Sequence, residues 1–466
     1  MKAMGIFGGV QMLGIVCSIV RTKLVAMWIG TVGVGLFGLF NNALEMLNTA
    51  TNLSVRNSSV RDISQAVERR DSTLIARIIA VVRRWSLWLG LAGATITLVL
   101  APLLSQITFG TQDHLWGFVA LSIAVLMMAI TNGEYAVFQG LGRLKKLARI
   151  TIYGTVTGLL VSIPLFYYLR EDSVVVSIVA YAAANVFFAI VLRNKEYPAA
   201  QVTLRETVTM GSAFVRLGVF MTLGNFVNIL STYIFNAWLN TTAGTGEVGL
   251  YQAGFTLINK YTGLILTALG MEYYPRLARV AESKMKLRVF VSQEINIALL
   301  VMVPVIAVFV LLRRPIVQLL YSEEFVAILP FVSWGLVGII FRTVSWCMAF
   351  VVLAKGSGRV FLITETISSA LGLALNIVFY QRWGLVGLGW AFTVWYVVYA
   401  AMMACVYLRH YGLRLSRQCL VAVVWATVLT VAIVVLVEQS LVVAAIAVAV
   451  VATLINAQQL KKQWRR

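Results

Sequence analysis

The chain has 466 residues, of which 60% are hydrophobic and only 12% are charged, and its formal net charge is +20. A mean hydropathy of +0.87 excludes a water-soluble globular domain and indicates an all-α polytopic membrane protein. The positive charge fits cationic cytoplasmic loops better than a nucleic-acid partner, so no nucleic acid is expected.

Apolar runs predict about fourteen membrane-spanning helices, because ~20 residues at ~1.5 Å each cross the hydrocarbon core. Their approximate spans are 5–29, 33–55, 85–108, 115–138, 150–170, 174–192, 212–238, 247–271, 291–312, 328–354, 359–380, 384–408, 420–437 and 440–457. A very tight turn joins the last two at Glu438 and Gln439. These two segments therefore form a hairpin of spanning or partly re-entrant helices.

Lysine and arginine residues cluster in alternate loops, for example at Arg69 and Arg70 after the second helix and at Lys145 and Lys146 after the fourth. The opposite loops are nearly free of cations and are short. Because positively charged loops stay in the cytoplasm, both termini are predicted to be cytoplasmic.

Two short matches at nearly equal spacing predict an internal repeat. Val34-Gly35-Leu36-Phe37 resembles Val248-Gly249-Leu250-Tyr251, and Gly140-Leu141-Gly142-Arg143 resembles Gly356-Ser357-Gly358-Arg359. Six helices per repeat keep the same orientation, so the repeat is parallel. The prediction is two pseudo-symmetric six-helix lobes around a central cavity, residues 1–200 and 201–410. An additional transmembrane helix pair with a basic tail follows in residues 411–466.

The first hydrophobic stretch, residues 5–30, carries Arg21 and Lys23 within its apolar run. A cation inside a spanning helix costs on the order of 3 kcal/mol or more unless it faces a cavity or a partner. Gly14, Ser18 and Arg21 follow helical spacing, so the first helix has a small polar face that ends in a cation.

Other polar residues fall within the predicted spans. They are Asn41, Glu45 and Asn48 in the second, Glu134 in the fourth, Asn225 and Asn228 in the seventh, Lys260 in the eighth, Arg342 in the tenth, and Glu365 and Asn376 in the eleventh. In hydrocarbon these side chains must face protein or water, so we expect them to line the cavity. For Asn225, Asn228 and Asn376, hydrogen bonding between helices is an equal alternative.

A cavity with more cations than anions suits a phosphate- or pyrophosphate-bearing ligand, because arginine forks match phosphate oxygens. The predicted contacts are Arg21, Lys23, Lys260 and Arg342, although Lys23 could instead reach the membrane interface. Three acidic residues either neutralise these cations or couple transport to H⁺ or Na⁺. They are Glu45, Glu134 and Glu365.

Several motifs are missing from the sequence. No G-x-x-x-x-G-K-[ST] motif, CxxC, HExxH or histidine cluster occurs, so neither a nucleotide-driven motor, a cofactor nor a metal site is expected. No nucleophile and base stand together in a large loop. We therefore expect a transporter and not an enzyme, and we assign no catalytic residue.

The segment from Phe7 to Asp62 resembles the start of polysaccharide (O-antigen type) flippases, members of the multidrug/oligosaccharidyl-lipid/polysaccharide exporter superfamily. Ile19-Val20-Arg21-Thr22-Lys23, Gly33-Val34-Gly35-Leu36 and Val60-Arg61-Asp62 carry the resemblance, and Tyr274-Pro275-Arg276-Leu277 fits it as well.

The resemblance implies a flippase of the bacterial cytoplasmic (inner) membrane that serves polysaccharide biosynthesis, as for O-antigen or lipopolysaccharide. Its substrate would be undecaprenyl-diphosphate-linked oligosaccharide, moved from the inner to the outer leaflet by alternating access, with cavity cations serving the diphosphate. Polysaccharide polymerase and glycosyltransferases are the implied partners besides membrane lipids. The two extra helices also resemble the lipid II flippase. A lipid II flippase and an ion-coupled multidrug exporter therefore remain alternatives.

Overall fold

The computed structural model describes residues 2–464 apart from residues 54, 195, 198 and 199, and these residues form helices and short connections without a β-strand. The described residues form sixteen α-helices. They are α1 (Lys2–Trp28), α2 (Gly30–Asn52), α3 (Val55–Glu68), α4 (Ser72–Phe109), α5 (Leu115–Gly140), α6 (Leu144–Leu169), α7 (Ser173–Val191), α8 (Leu204–Ala243), α9 (Thr245–Phe255), α10 (Thr262–Val280), α11 (Lys284–Leu311), α12 (Arg313–Leu320), α13 (Leu329–Ala354), α14 (Gly358–Arg409), α15 (Arg417–Glu438) and α16 (Val442–Trp464).

Each of the fourteen predicted spans corresponds to a helical stretch of this structure. The ends differ by several residues, and the largest difference is in α4, which begins at Ser72 and not near residue 85. The eighth span is α9 and α10 joined by a π-helical turn at Thr256–Tyr261. The eleventh and twelfth spans are the two halves of α14, which breaks at Gly384 (φ 59°, ψ −142°). The sequence did not predict the shorter helices α3 and α12.

Length and composition single out eight continuous helical stretches in the described residues as able to cross a membrane. Two of them, Leu144–Val191 and Gly358–Arg409, contain two helices each. A segment that crosses a membrane must satisfy its backbone hydrogen bonds internally, and a helix does so. Long apolar segments of the sequence are therefore expected to be helical, as they are here.

Polar caps fix the start of several helices. The Asp71 carboxylate accepts hydrogen bonds from the backbone N–H groups of Thr73 (3.1 Å) and Leu74 (3.0 Å) at the start of α4, and these bonds lower the pKa of Asp71 below its usual value. Thr203 and Glu206 form a reciprocal capping box at the start of α8. Caps of this kind satisfy N–H groups that have no partner within the helix.

Packing divides the chain into two units, Met1–Gly249 and Leu250–Arg466. The core of the first unit is built around fully buried aromatic residues, among them Phe40 and Phe118, whose ring centroids lie 5.4 Å apart. The lobe boundaries predicted from the sequence stay a prediction.

In the first unit, α2 and the start of α9 cross in backbone contact. A Cβ atom on Gly35 would lie 1.9 Å from the carbonyl oxygen of Thr245, and one on Gly249 would lie 2.0 Å from that of Thr31. The contact is reciprocal, because each helix places a glycine against a threonine carbonyl oxygen of the other. Gly35 and Gly249 are also the equivalent glycines of the first tetrapeptide match found in the sequence. Only glycine allows the two helices to approach this closely.

The backbone supports the internal repeat and corrects one register. Three residues with positive φ in the first repeat have an equivalent with positive φ in the second. The pairs are Gly30 and Gly244, Gly142 and Gly356, and Arg170 and Gly384. The two residue numbers differ by the same amount in every pair, and this difference is called the repeat offset. The second tetrapeptide match had aligned Gly140 with Gly356. That register was wrong by two residues. The sequence match had followed the spacing of the glycines, whereas the turn residue with positive φ that corresponds to Gly356 is Gly142.

Side-chain contacts repeat with the same offset. In the first unit a Cβ on Gly158 would lie 2.6 Å from the ring of Tyr181, and in the second unit a Cβ on Gly372 would lie 2.6 Å from the ring of Trp395. The repeat offset relates Gly158 to Gly372 and Tyr181 to Trp395. The two repeats thus build the same helix contact with a glycine and an aromatic ring.

Polar contacts attach the additional C-terminal helices, α15 and α16, to the rest of the second unit. Arg313 forms an ion pair with Glu438 at the turn between α15 and α16, and it also donates a hydrogen bond to Ser333 on α13. At the other end of α15, the backbone N–H of Ser416 donates to the Ser292 hydroxyl over 3.2 Å. The side chains of the basic tail from Lys461 to Arg466 lie outside the described residues.

Replacing Gly35 by alanine should destabilise the protein, since the new methyl group collides with the Thr245 carbonyl and forces α2 and α9 apart. We expect a loss of about 1–3 kcal/mol, the usual cost of overpacking. Gly14→Ala is the matched control, because nothing lies within 4 Å of a Cβ at that helical position. Thermal unfolding of the purified protein should show a lower Tm for Gly35→Ala only, and equal Tm values for both variants would contradict the close crossing.

Candidate functional site

A cavity of about 290 Å³ lies inside the first unit, between α1, α2, α5, α6 and α7. Amides, hydroxyls and apolar side chains dominate its wall, and Arg21 is the one cation among the described lining residues. The lining residues are Arg21, Asn41, Leu44, Met128, Thr131, Asn132, Tyr135, Thr151, Thr155, Ile178, Tyr181, Ala182 and Asn185. This described lining contains no carboxylate, so the cavity has a net positive character.

Two aromatic rings clamp the Arg21 guanidinium. Its central carbon lies 4.7 Å from the centroid of the Phe37 ring and 4.8 Å from that of the Tyr181 ring. Buried cation–π contacts of this kind contribute on the order of 1–2 kcal/mol each and restrict the orientation of the guanidinium plane. The clamp therefore holds the cation in place without neutralising it.

Arg21 keeps hydrogen-bonding capacity. Its Nε is buried without a hydrogen-bond partner among the described residues, and no carboxylate there lies within the 4.0 Å of an ion pair. An unpaired buried N–H costs about 1–3 kcal/mol, and more when the group is charged. This arrangement favours an anion that approaches the guanidinium from the cavity.

Hydrogen bonds position the neutral groups around Arg21. The hydroxyls of Tyr181 and Thr155 lie 3.2 Å apart, and the Tyr135 hydroxyl donates to Asn185 Oδ1 over 3.3 Å. Asn185 in turn donates to the carbonyl oxygen of Tyr181 over 2.8 Å. The cavity wall is therefore a connected set of donors and acceptors of the kind that binds phosphate or sugar oxygens.

Four of these lining residues were not predicted from the sequence, although their spacing along α6 and α7 contains a signal. Thr151 and Thr155 are four residues apart on α6, and Tyr181 and Asn185 are four residues apart on α7, so each pair shares one helix face. The surrounding segments are so apolar that the pairs resembled isolated polar residues. Their significance depends on the facing helix, which a single sequence does not reveal.

The second unit carries a guanidinium of its own. Arg342 on α13 donates through Nη1 to the carbonyl oxygen of Asn259 over 3.2 Å, and its guanidinium carbon lies 5.8 Å from the centroid of the Tyr396 ring. Asn259 belongs to the π-helical turn, which also carries the exposed Lys260. Single π-helical turns occur frequently at functional sites.

The repeats place their arginines on different helices. By the repeat offset, the position of Arg342 corresponds to that of Met128, which lines the cavity of the first unit. Each repeat therefore contains a guanidinium over a tyrosine ring, contributed by α1 in the first unit and by α13 in the second.

The three acidic candidates have different surroundings. Glu134 is 3% exposed and contacts two arginines, Arg83 through both carboxylate oxygens (2.8 and 3.0 Å) and Arg193 (2.8 Å). Glu365 accepts a hydrogen bond from the Tyr399 hydroxyl. Glu45 is exposed on α2. This geometry favours charge pairing for Glu134.

The remaining predicted residues do not line the cavity of the first unit, whose wall includes Arg21 and Asn41. Asn48 accepts a hydrogen bond from Asn52 over 3.4 Å. The others are the partly buried Lys23 and Asn376 and the exposed Asn225 and Asn228. In the described part of the chain, no group of three or more His, Cys, Asp or Glu side chains could hold a metal ion.

Solved structures share this fold. The lipid II flippase MurJ in an inward closed conformation superimposes with a TM-score of 0.76 at 11% identity, covering 99% of both chains. An inward-facing multidrug resistance MATE family transporter of the MOP superfamily superimposes with a TM-score of 0.71 at 15% identity, covering 84% of this chain and 92% of the other. The chain therefore has the fold of these multi-pass membrane proteins.

The family follows from the sequence comparison. The sequence model of the family described as "Polysaccharide biosynthesis protein" matches residues 63–330, more than half of the 466 residues, so the chain belongs to this family. The lipid III flippase of Escherichia coli (strain K12) is 23% identical over 395 residues, which cover 83% of this chain and 92% of that protein.

Removing the Glu134 carboxylate should destabilise the first unit strongly, because Glu134→Gln leaves Arg83 and Arg193 without their shared anion. Breaking a buried ion pair on one side costs about 3–5 kcal/mol. The matched control is Glu196→Gln, whose partner Arg143 is 51% exposed and whose own side chain is 41% exposed, so that the pair contributes at most about 1 kcal/mol. Denaturant unfolding should separate the two variants, and similar losses would contradict a structural role for Glu134.

Proposed function

We propose that this protein translocates undecaprenyl-diphosphate-linked oligosaccharide from the inner to the outer leaflet of the bacterial cytoplasmic membrane by alternating access. The observation that carries the proposal is the guanidinium of Arg21, whose buried Nε has no partner and no carboxylate nearby among the described residues, in a cavity lined by neutral hydrogen-bonding groups. The similarity to the lipid III flippase supports a lipid-linked substrate.

The chemistry of Arg21 suits a diphosphate. A guanidinium has several N–H donors in a fixed plane, and these match phosphate oxygens in pairs. The Phe37 and Tyr181 ring centroids lie 4.7 and 4.8 Å from the guanidinium carbon, and the buried Nε, which has no partner among the described residues, keeps an N–H for the anion. Nearby amides and hydroxyls, such as Asn185 and Thr155, would hydrogen-bond to the remaining phosphate oxygens or to the first sugar.

The charge of the cavity argues against an exporter of organic cations. Such a ligand needs carboxylates or open aromatic faces, and the described lining of this cavity contains no carboxylate. Both aromatic rings of this lining already contact a guanidinium, Tyr181 that of Arg21 at 4.8 Å and Tyr135 that of Arg56 at 5.0 Å. A cationic drug would therefore meet a fixed like charge.

The proposed activity moves a lipid without making or breaking a covalent bond. The cavity provides binding groups, and its described lining lacks the nucleophile and base that a glycan-assembling enzyme would require. Energy could come from membrane potential, because a bound diphosphate carries negative charge from the cytoplasmic side to the outside.

A lipid II flippase is the second candidate. The observation that favours it is the helix pair α15 and α16 together with a fold shared with MurJ over 99% of both chains. Both candidates place a polyprenyl diphosphate at Arg21 and differ only in the attached glycan. Competition between labelled lipids carrying either glycan would decide between them.

Replacing Arg21 should abolish most lipid translocation. In proteoliposomes with a fluorescent polyprenyl-diphosphate oligosaccharide, Arg21→Ala should lower the rate at least about tenfold, since a charged hydrogen bond contributes about 1.5–3 kcal/mol. The translocation rate of Arg21→Lys should lie between those of the wild type and Arg21→Ala, because lysine keeps the positive charge and lacks the planar fork of N–H donors.

Arg61→Ala is the control, because Arg61 is exposed on α3, and its rate should equal that of the wild type. Thin-layer analysis of the recovered lipid should show the same compound before and after transport. Full activity of Arg21→Ala would refute the role of Arg21, and a chemically altered lipid would indicate an enzyme.

A further inference from the structure

We propose that Glu365 and Tyr399 of the second unit form a proton-binding site that is loaded and unloaded during transport. This inference goes beyond the proposed function, which requires only a lipid-binding cavity. Its basis is the surroundings of the Glu365 carboxyl group, which differ from those of the ion-paired Glu134.

The break in α14 brings the two residues together. Glu365 lies in the first half of α14 and Tyr399 in the second half, on either side of the break at Gly384. The Tyr399 hydroxyl, in a residue that is 6% exposed, donates a hydrogen bond to Glu365 Oε1. Glu365 itself is partly buried, and the buried Ser368, three residues further along, shares its helix face.

No cation neutralises this carboxyl group in the described part of the chain, where no lysine or arginine nitrogen lies within 4.0 Å of it. The titratable groups that face it are Tyr399 and Tyr396 from the second half of α14. The charged group nearest to them is Arg342 on α13, which lies over the Tyr396 ring at 5.8 Å and donates to the Asn259 carbonyl. Arg342 therefore has its own contacts with Tyr396 and Asn259, and it forms no ion pair with Glu365.

An ionised carboxylate within a spanning helix is costly without a cationic partner or water. A proton removes that cost, since it converts the carboxylate into a neutral acid that still accepts the Tyr399 hydrogen bond. Glu134 shows the alternative solution in the same protein, because two arginines keep its charge compensated. The two glutamates therefore serve different purposes.

The repeat shows that packing does not require a carboxyl group at this position. By the repeat offset, Glu365 corresponds to Thr151 and Tyr399 corresponds to Asn185, and both of these earlier residues line the cavity of the first unit. The first unit thus places neutral hydrogen-bonding groups beside a fixed cation. The second unit places an acid in the same position, where its charge can change.

The proton balance is simple. In the surroundings observed here a proton from water occupies a Glu365 carboxyl oxygen, and Tyr399 keeps its own hydroxyl proton and its hydrogen bond. When transport hydrates the site, the proton returns to water and leaves a solvated carboxylate. One O–H bond forms and breaks per cycle, so the conformation that buries Glu365 is favoured at low pH.

The test has two independent readouts, proton binding and pH-dependent transport. Wild-type protein titrated with a pH-indicator dye between about pH 5 and pH 9 should bind one more proton than Glu365→Gln, in the range where buried carboxyl groups titrate. Glu196→Gln is the control, because the Glu196 side chain is 41% exposed beside Arg143 and its loss should leave the wild-type uptake in this range unchanged. Equal proton uptake by wild type and Glu365→Gln would overturn the proposal.

Transport is then measured in proteoliposomes with a pH gradient and with the membrane potential clamped by valinomycin and potassium. The wild-type rate should depend on the gradient, whereas Glu365→Gln should lose that dependence and still bind the lipid through Arg21. Tyr399→Phe should move the midpoint of the pH dependence to higher pH, because the ionised carboxyl loses a donor. Gradient dependence that survives in Glu365→Gln, or is lost in Glu45→Gln, would contradict the assignment.

These readouts separate this inference from the proposed function. If the fluorescent lipid is not moved by the wild type, the proposed substrate is wrong, and the proton titration still decides whether Glu365 binds a proton. If the lipid is moved with no pH dependence in any protein, the proposed function stands and the proton site is excluded. If Glu365→Gln fails to fold, the proton titration of Tyr399→Phe takes its place, and its midpoint should lie at higher pH than that of the wild type.

Discussion

The Arg21 guanidinium, with its buried and unpartnered Nε, is the constraint on which this account of the described structure depends. A cation in a spanning helix is expensive, and its usual remedy is a carboxylate within reach. The described structure instead clamps Arg21 between Phe37 and Tyr181 and leaves its Nε without a partner at a cavity of about 290 Å³. A bound anion would offset the unfavourable free energy of this uncompensated charge. Such a site favours a diphosphate, which is what a carrier of a diphosphate lipid needs.

Duplication explains how the two units share one scaffold and differ in charge. Turns with positive φ recur at the repeat offset, as at Gly30 and Gly244, and so does a contact between a glycine and an aromatic ring. Function, by contrast, follows the residues that break the symmetry. Arg21 is present in the first repeat and Glu365 in the second, so a fixed positive charge and a charge that a proton can cancel stand in different units.

Much of the fold could be predicted from the sequence, because a helix that spans a membrane must be long and apolar. The fourteen spans emerged from run length alone, and Arg21 attracted attention because it interrupts such a run. Interactions between helices could not be predicted in this way. The sequence does not show that Tyr181 contacts Arg21, nor that Glu134 has Arg83 and Arg193 beside it whereas Glu365 has Tyr399.

The most direct test of the central claim is a binding measurement on purified protein, without transport. The affinities of the wild type and Arg21→Ala would be compared for a short polyprenyl diphosphate and for the uncharged polyprenol of the same length. The account predicts that the wild type prefers the diphosphate by at least about tenfold, or ~1.4 kcal/mol, and that Arg21→Ala loses most of this preference. An equal preference for the diphosphate in both proteins would show that Arg21 is not its binding partner.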